Sequence, residues 1–440
     1  MASSKDFSIA STRDKFPHVD RGRKGLPSQI DNTGGIVLDN ASGTQLLGSV
    51  IEAIATYYTN PTNTPLKDST YLKNALSASQ RFINASSADE IAIGTSTTQL
   101  FHNLSTSFLF PPKSEIIVTQ INHESNISPW LRMAERQDLI VKWWTAKGPA
   151  MRLEIDDLLE LISEKTCLVA LTHACGILGN IEDVEVAAEV VHRMVPEAVV
   201  CVDGGEFVPH RRVDVSALGV DIYVWSWNNV FGPHLSCIWI EKSLKDDHDL
   251  LEPFSYFFDH PLTSLQVKLG LYAANPALTS SIPSIVDYFN PDPVSAWTAI
   301  MEHEAVLQKI LIDYLNSRSD VRIHGENSPD PVLRVAIVSF NINGWMSQDV
   351  VEFITTKDPR LGVAWGHFDS FRLVAKILHP KEDGVVRVSM VHYNTVEEVE
   401  RLVDVLKEIE IGGDQGLLAH MERLSLVSLD SGTNTPVRSE

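Results

Sequence analysis

Three places along the chain carry residues whose type and position could do chemistry. Gly94-Thr95-Ser96-Thr97-Thr98 follows a short apolar strand pattern and opens a helical one. Free backbone N–H groups, hydroxyls and a helix N-terminus together favour an anion such as a phosphate, although Ser/Thr clusters at helix starts also serve simply as caps. Asp203 closes the apolar run at 199–202. A carboxylate at the C-terminal end of a central parallel strand lies where open α/β sheets build their sites; the bland reading is a cap on the next turn. Arg387, within Val386-Arg387-Val388-Ser389, offers a guanidinium fork suited to a ligand carboxylate, or else to a structural acid. The four cysteines, Cys167, Cys175, Cys201 and Cys237, lack metal-site spacing, so no metal is expected. Three lie in or beside apolar runs and read as buried residues of a reducing, cytoplasmic compartment.

The elements that must position these residues form an α/β pattern. Apolar runs at 116–121, 139–145, 168–172, 199–202 and 222–225 are short and rich in β-branched residues, and helical patterns such as 156–163 and 183–195 separate most of them. That alternation implies βαβ units and a mainly parallel, buried sheet. The run at 236–240 follows 222–225 after a short loop and suggests one antiparallel neighbour. Pro276, Pro283, Pro291 and Pro293 mark a domain boundary. Beyond it come an amphipathic helix at 295–317, strands at 332–342 and 385–391, and a last helix opened by the capping box Thr395-Val396-Glu397-Glu398 and running to about 409. The expected organisation is an arm over 1–35, a large domain over 36–290, a small C-terminal domain over 291–411 and a disordered tail over 412–440. A length of 440 residues accommodates two such subdomains. A net charge of −21 argues against nucleic acid or anionic membrane as partners, and no apolar run reads as a membrane span or a leading signal peptide.

Ser226-Trp227-Asn228-Asn229-Val230-Phe231-Gly232-Pro233, with Val202-Asp203 upstream, closely resembles the core of class V aminotransferases and cysteine desulfurases, where the run reads S-G-H-K-x-Y-G-P. The resemblance covers roughly residues 16–410 and is closest to the desulfurase-like branch. It implies the fold of the type I pyridoxal phosphate (PLP) enzymes: a large domain with a mainly parallel sheet between helices, and a smaller C-terminal α/β domain. It also implies a homodimer with sites at the subunit interface. In that family the lysine forms a Schiff base with PLP; here Asn229 takes its place, and an amide cannot form an imine. By the same resemblance Ser96 and Thr97 belong to the phosphate loop and Ser226 is a phosphate-binding serine. His123, in Asn122-His123-Glu124-Ser125-Asn126-Ile127-Ser128-Pro129-Trp130, matches the histidine of an H-x-A-N-x-x-P-W run that stacks on the pyridine ring. Asp203 matches the partner of the ring nitrogen, and Arg387 the clamp on the substrate carboxylate.

The departures from the pattern are equally specific. Asn228 replaces the histidine before the lysine, Glu206 a glutamine, Gly176 the asparagine near the ring hydroxyl, and Ala273 a threonine lent by the neighbouring subunit. In Gly366-His367-Phe368-Asp369, Asp369 stands for the nucleophilic cysteine of desulfurases, so desulfurase activity is not expected. The favoured reading is an enzyme acting on a small carboxylate-bearing, amino-acid-like metabolite by acid–base chemistry of the isomerase, cyclase or lyase type, without a Schiff base to the protein. Glu206 and Asp369, with His123 or His367 as proton carriers and Asn229 beside them, are its candidate residues. One alternative keeps PLP or its amine form non-covalently on Ser96, Thr97, His123, Asp203, Ser226 and Asn228. Another is a non-catalytic protein that binds a ligand or a partner.

Overall fold

The computed structural model describes residues 7–19, 35–59, 65–247, 250–252, 265–270, 274–290, 292–378 and 383–410. The expected tail from 412, Ala273, Pro291 and part of the expected arm lie outside the described residues.

Seven strands build the central sheet: β1 (Ile91–Gly94), β2 (Glu115–Thr119), β3 (Ile140–Trp144), β4 (Thr166–Thr172), β5 (Val199–Asp203), β6 (Ile222–Ser226) and β7 (Ser236–Ile240). Their spatial order is β1-β7-β6-β5-β4-β2-β3. From β3 through β6 the pairs are parallel, whereas β7 is antiparallel to both its neighbours. The connection from β6 to β7 is too short for a helical crossover, so the chain can only turn back. Both faces of the sheet are covered. Val200, Val202, Tyr223 and Trp225 point into one core, and Val199, Cys201, Ile222 and Val224 into the other. Strands buried on both faces read as unbroken apolar runs, which is how they appear in the sequence.

A second, antiparallel sheet contains β8 (Val321–His324), β9 (Ile337–Ile342), β10 (Ala364–Gly366) and β11 (Val385–Ser389) in the order β10-β11-β9-β8. The strand expected from 332 begins at Ile337, because Leu333 and Arg334 fold back to hydrogen-bond the Asp330 carbonyl. Val386 and Val388 of β11 enter the core of this smaller domain with Val338 and Phe340. The period of two along a strand then puts Arg387 and Ser389 on the other face. Helices Pro293–Asn316 and Val396–Lys407 pack together in this domain. The second opens on the expected capping box, in which Thr395 Oγ1 accepts the Glu398 N–H at 3.3 Å and a Glu398 carboxylate oxygen accepts the Thr395 N–H at 3.2 Å.

Within the segment read as an arm, residues 7–19 pack onto the body. Phe16 is wholly buried against Phe231, Tyr288 and Tyr393, and Arg13 pairs with Glu398 at 2.6 Å. Among the described residues no helix is long and apolar enough to cross a membrane.

Candidate active site

The C-terminal ends of β5 and β6 open into a cavity of about 360 Å³. Asp203, the last residue of β5, lines it and is only 7% exposed. The Gly205 N–H donates to Asp203 Oδ1 at 2.9 Å, and the Asp203 carbonyl accepts the His173 N–H at 2.8 Å. Burial raises the affinity of the Asp203 carboxyl for its proton, while the Gly205 N–H and His123 pull the other way. The floor beneath it is tightly packed. His173 stacks on Phe207 with ring centroids 3.4 Å apart, and its Nδ1 is 2.8 Å from the Tyr223 hydroxyl. Burial pushes the His173 pKa down to about 3, so this ring is a neutral packing element. Gly204 makes the tight approach possible, since a Cβ there would lie 2.2 Å from the Tyr223 ring.

Glu206 comes round to the cavity three residues after Asp203 and lines it. Its Oε2 is shut away from solvent without a hydrogen-bond partner, and its Oε1 lies 3.4 Å from Asn229 Nδ2. Burial pushes the Glu206 pKa up to about 7; Arg387 opposes that shift, and Asp203 and Asp39 add to it. Gly176 explains how the side chain fits. Its backbone is outside the left-handed region, but a Cβ there would meet Glu206 Cγ at 3.2 Å and Cδ at 3.4 Å. The missing side chain at 176 is therefore room for Glu206. Asn229, closing a short turn after β6 (Trp227–Asn229), also donates from Nδ2 to the Gly205 carbonyl at 3.1 Å, which ties the two strand-end loops together.

His123 also lines the cavity. Its Nδ1 accepts the Ser125 N–H at 3.1 Å and lies 2.7 Å from Ser125 Oγ, and its Nε2 faces Asp369 Oδ2 at 3.7 Å. Phe368 and Asp369 both have left-handed backbone (φ 49° and 51°). This turn lays the Phe368 ring 3.7 Å from the Arg387 guanidinium and leaves Asp369 exposed at the mouth. Arg387 lines the cavity from β11, but its fork is largely committed. Nε and Nη2 reach Asp39 Oδ1 at 3.0 and 2.9 Å, Nη2 donates to Ser42 Oγ at 2.7 Å, and Nη1 donates to the Gly176 carbonyl at 3.3 Å. The structural acid that sequence reading kept as the bland explanation of Arg387 exists, and it is Asp39.

The cavity thus brings together His123, Glu206, Asp369, Asn229, Thr97, Asp203, Ser226 and Arg387. Three expected residues do not line it. Ser96 is spent as the N-cap of helix Thr97–Ser107, accepting the Gln99 N–H at 3.1 Å. Asn228 turns towards the loop at Gly43, where a Cβ would lie 2.5 Å from its Nδ2, and its carbonyl accepts the Thr44 N–H at 2.9 Å. His367 packs on Phe371, with ring centroids 5.2 Å apart. Sequence reasoning missed Ser125, Ser42 and Phe368 as lining residues and Asp39 as the partner of Arg387. Ser125 carried a signal, since it sits at the alanine of the H-x-A-N run. Among the described residues no group of three or more His, Cys, Asp or Glu side chains could hold a metal ion.

Comparison with known proteins agrees with this architecture. The aminotransferase class-V family model matches residues 36–402. The aminotransferase-like protein FGM3 of Gibberella zeae is 41% identical over 424 residues, 92% of this chain and 100% of that protein. The cysteine desulfurase-like protein ustD of Aspergillus flavus is 36% identical over 386 residues, 84% of this chain and 86% of that protein. Among solved structures, the apo cysteine desulfurase of Thermococcus onnurineus superposes with a TM-score of 0.78 at 22% identity, covering 93% of this chain and 99% of that one. The Escherichia coli cysteine desulfurase CsdA gives 0.75 at 20% identity, covering 91% and 98%.

Proposed function

The chain belongs to the class V aminotransferase family, and from that premise we propose that it is a lysine-less member acting by acid–base chemistry on a small, carboxylate-bearing, amino-acid-like metabolite. One observation carries this reading. Beside Asn229, the position the resemblance gives to the Schiff-base lysine, lies a carboxyl with a pKa pushed up to about 7 and one unpartnered oxygen, that of Glu206. Such a group can take and return a proton near neutral pH, which an amide cannot. Asn229 steadies Oε1, and Oε2, without a hydrogen-bond partner, is the oxygen free to hold the proton. Arg387 attracts the substrate carboxylate, which must share the guanidinium with Asp39. His123, also lining the cavity, supplies a second proton carrier. Removing a proton beside a carboxylate and delivering one elsewhere is the step common to isomerisation, cyclisation and elimination. The four unpaired cysteines agree with a reducing, cytoplasmic setting, and we take the unit to be the homodimer that the resemblance implies.

A second reading, in which the family cofactor is held without a covalent bond, is favoured by Asp203, Thr97, Ser226 and His123 lining one cavity. These residues fit PLP. The buried Asp203 carboxyl suits a protonated ring nitrogen, the hydroxyls of Thr97 and Ser226 suit the phosphate, and His123 suits a ring face. When bound, the group would supply an electron sink. Glu206 would still carry the proton that lysine otherwise moves.

The test is a titration of cofactor-stripped protein with PLP, followed by absorbance and calorimetry. Saturable binding of one PLP per subunit, lost in Asp203→Ala, is expected only of the second reading. No binding at concentrations well above cellular PLP supports the first.

A further inference from the structure

Two departures from the family pattern meet on one histidine. His123 Nδ1 accepts a backbone N–H from Ser125 at 3.1 Å, so in the neutral ring this nitrogen is bare and the proton sits on Nε2. The second contact at Nδ1, Ser125 Oγ at 2.7 Å, is then the hydroxyl donating to the ring. On the far side, Nε2 faces Asp369 Oδ2 at 3.7 Å. Ser125 occupies the alanine position of the H-x-A-N run, and Asp369 the position of the desulfurase cysteine. All three side chains line the cavity, and Ser125 is otherwise buried, 5% exposed. A hydroxyl donating to an imidazole is the arrangement that activates a serine, and a carboxylate 3.7 Å from the other ring nitrogen, outside hydrogen-bond distance here, is near enough to orient that ring.

We infer that Ser125 is a nucleophile, with His123 its general base and Asp369 the positioning residue, and that the cleft can transfer a small acyl group from an ester or thioester to water. Ser125 Oγ attacks the acyl carbon and its proton passes to His123 Nδ1, which gives up its contact with the Ser125 N–H. The imidazolium so formed keeps Nε2–H towards Asp369. The bond to the leaving oxygen or sulfur breaks, and the leaving group takes the proton from Nδ1. A water then gives a proton to Nδ1 and attacks the acyl carbon, and Ser125 Oγ departs and recovers that proton. The sum is ester or thioester plus water giving acid plus alcohol or thiol.

The rival explanation is that the same contacts merely cap the turn Glu124–Asn126. A fluorophosphonate probe on the full-length protein, with peptide mapping by mass spectrometry, separates the two without any knowledge of the natural substrate. It is independent of the role given to Glu206. Ser125→Ala restores the residue of the family pattern and is the natural control for folding. Expected are near-stoichiometric labelling at Ser125, none there in Ser125→Ala, and a loss of at least about a hundredfold in labelling rate in His123→Gln. Asp369→Asn should slow labelling by about tenfold or more and move its pH profile. Absence of label at Ser125, or equal labelling in His123→Gln, overturns the inference. An unchanged rate and pH profile in Asp369→Asn removes Asp369 from it.

Discussion

Glu206 and Asp369 are acids lining one cavity, yet they are held in opposite ways. Glu206 lies on the deep wall, between Asn229 and the space above Gly176, with one oxygen closed off from solvent and unpartnered. Asp369 lies at the mouth, its side chain 86% exposed, with His123 facing it at 3.7 Å. Low local dielectric makes the deep acid sensitive to every neighbouring charge, whereas water screens the outer one. Substitutions on the deep wall should therefore register in stability and pH dependence. Those at the mouth should register in chemistry while the fold hardly responds.

The largest effect is expected at Arg387. Its side chain is 5% exposed and its Asp39 partner 17%, so Arg387→Ala leaves a mostly buried carboxylate uncompensated, a loss of about 3 to 5 kcal/mol. The same change removes a positive charge that lowers the Glu206 pKa, so Glu206 should titrate at higher pH. Chemical denaturation across a pH series measures both. A small loss of stability, or a Glu206 midpoint that stays put, would break the picture of a coupled deep wall.

Glu206→Gln comes next. Glu206 holds its proton to about pH 7 in the folded chain, against an ordinary value of 4.5. As the pH rises between those values the unfolded chain releases the proton first, so the folded state loses stability. The loss amounts to at most about 3 kcal/mol and stops growing above the folded pKa. Glutamine mimics the protonated acid and escapes this loss. The variant should match the native protein near pH 4.5 and exceed its stability at pH 8. Parallel stability curves across that range would mean that Glu206 ionises as an ordinary surface acid.

What the sequence reveals divides along the same line. The sheet is legible because strands buried on both faces are unbroken apolar runs, and the last helix because its capping box is local. Helices Gly48–Thr59 and Pro65–Ile83 escape, the second having a mixed composition. In the site, Asp203 is legible because it ends a strand, and Asn229 because it lies in the Ser226–Pro233 run that carries the family resemblance. Direction is not legible. Ser96, Thr97, Asn228 and Asn229 are adjacent pairs of similar residues, and only backbone geometry decides that Thr97 and Asn229 face the cavity while Ser96 caps and Asn228 turns away. The pairing of Arg387 with Asp39 joins residues 348 positions apart, which no local pattern can announce.

The smallest effect separates backbone from charge at Asp369. Its φ of 51° lies in the left-handed region, which asparagine and aspartate tolerate and alanine does not, at a cost of about 1 kcal/mol. Asp369→Asn keeps the turn and deletes the charge, so its thermal midpoint should stay within the equivalent of about 0.5 kcal/mol of the native value. Asp369→Ala should fall by about 1 kcal/mol more, and Asp369→Gly should recover part of that loss. The turn matters because it holds Phe368 over Arg387. If asparagine destabilises as much as alanine, the charge of Asp369 supports the fold, and the contrast between an energetic deep wall and a purely chemical mouth does not hold.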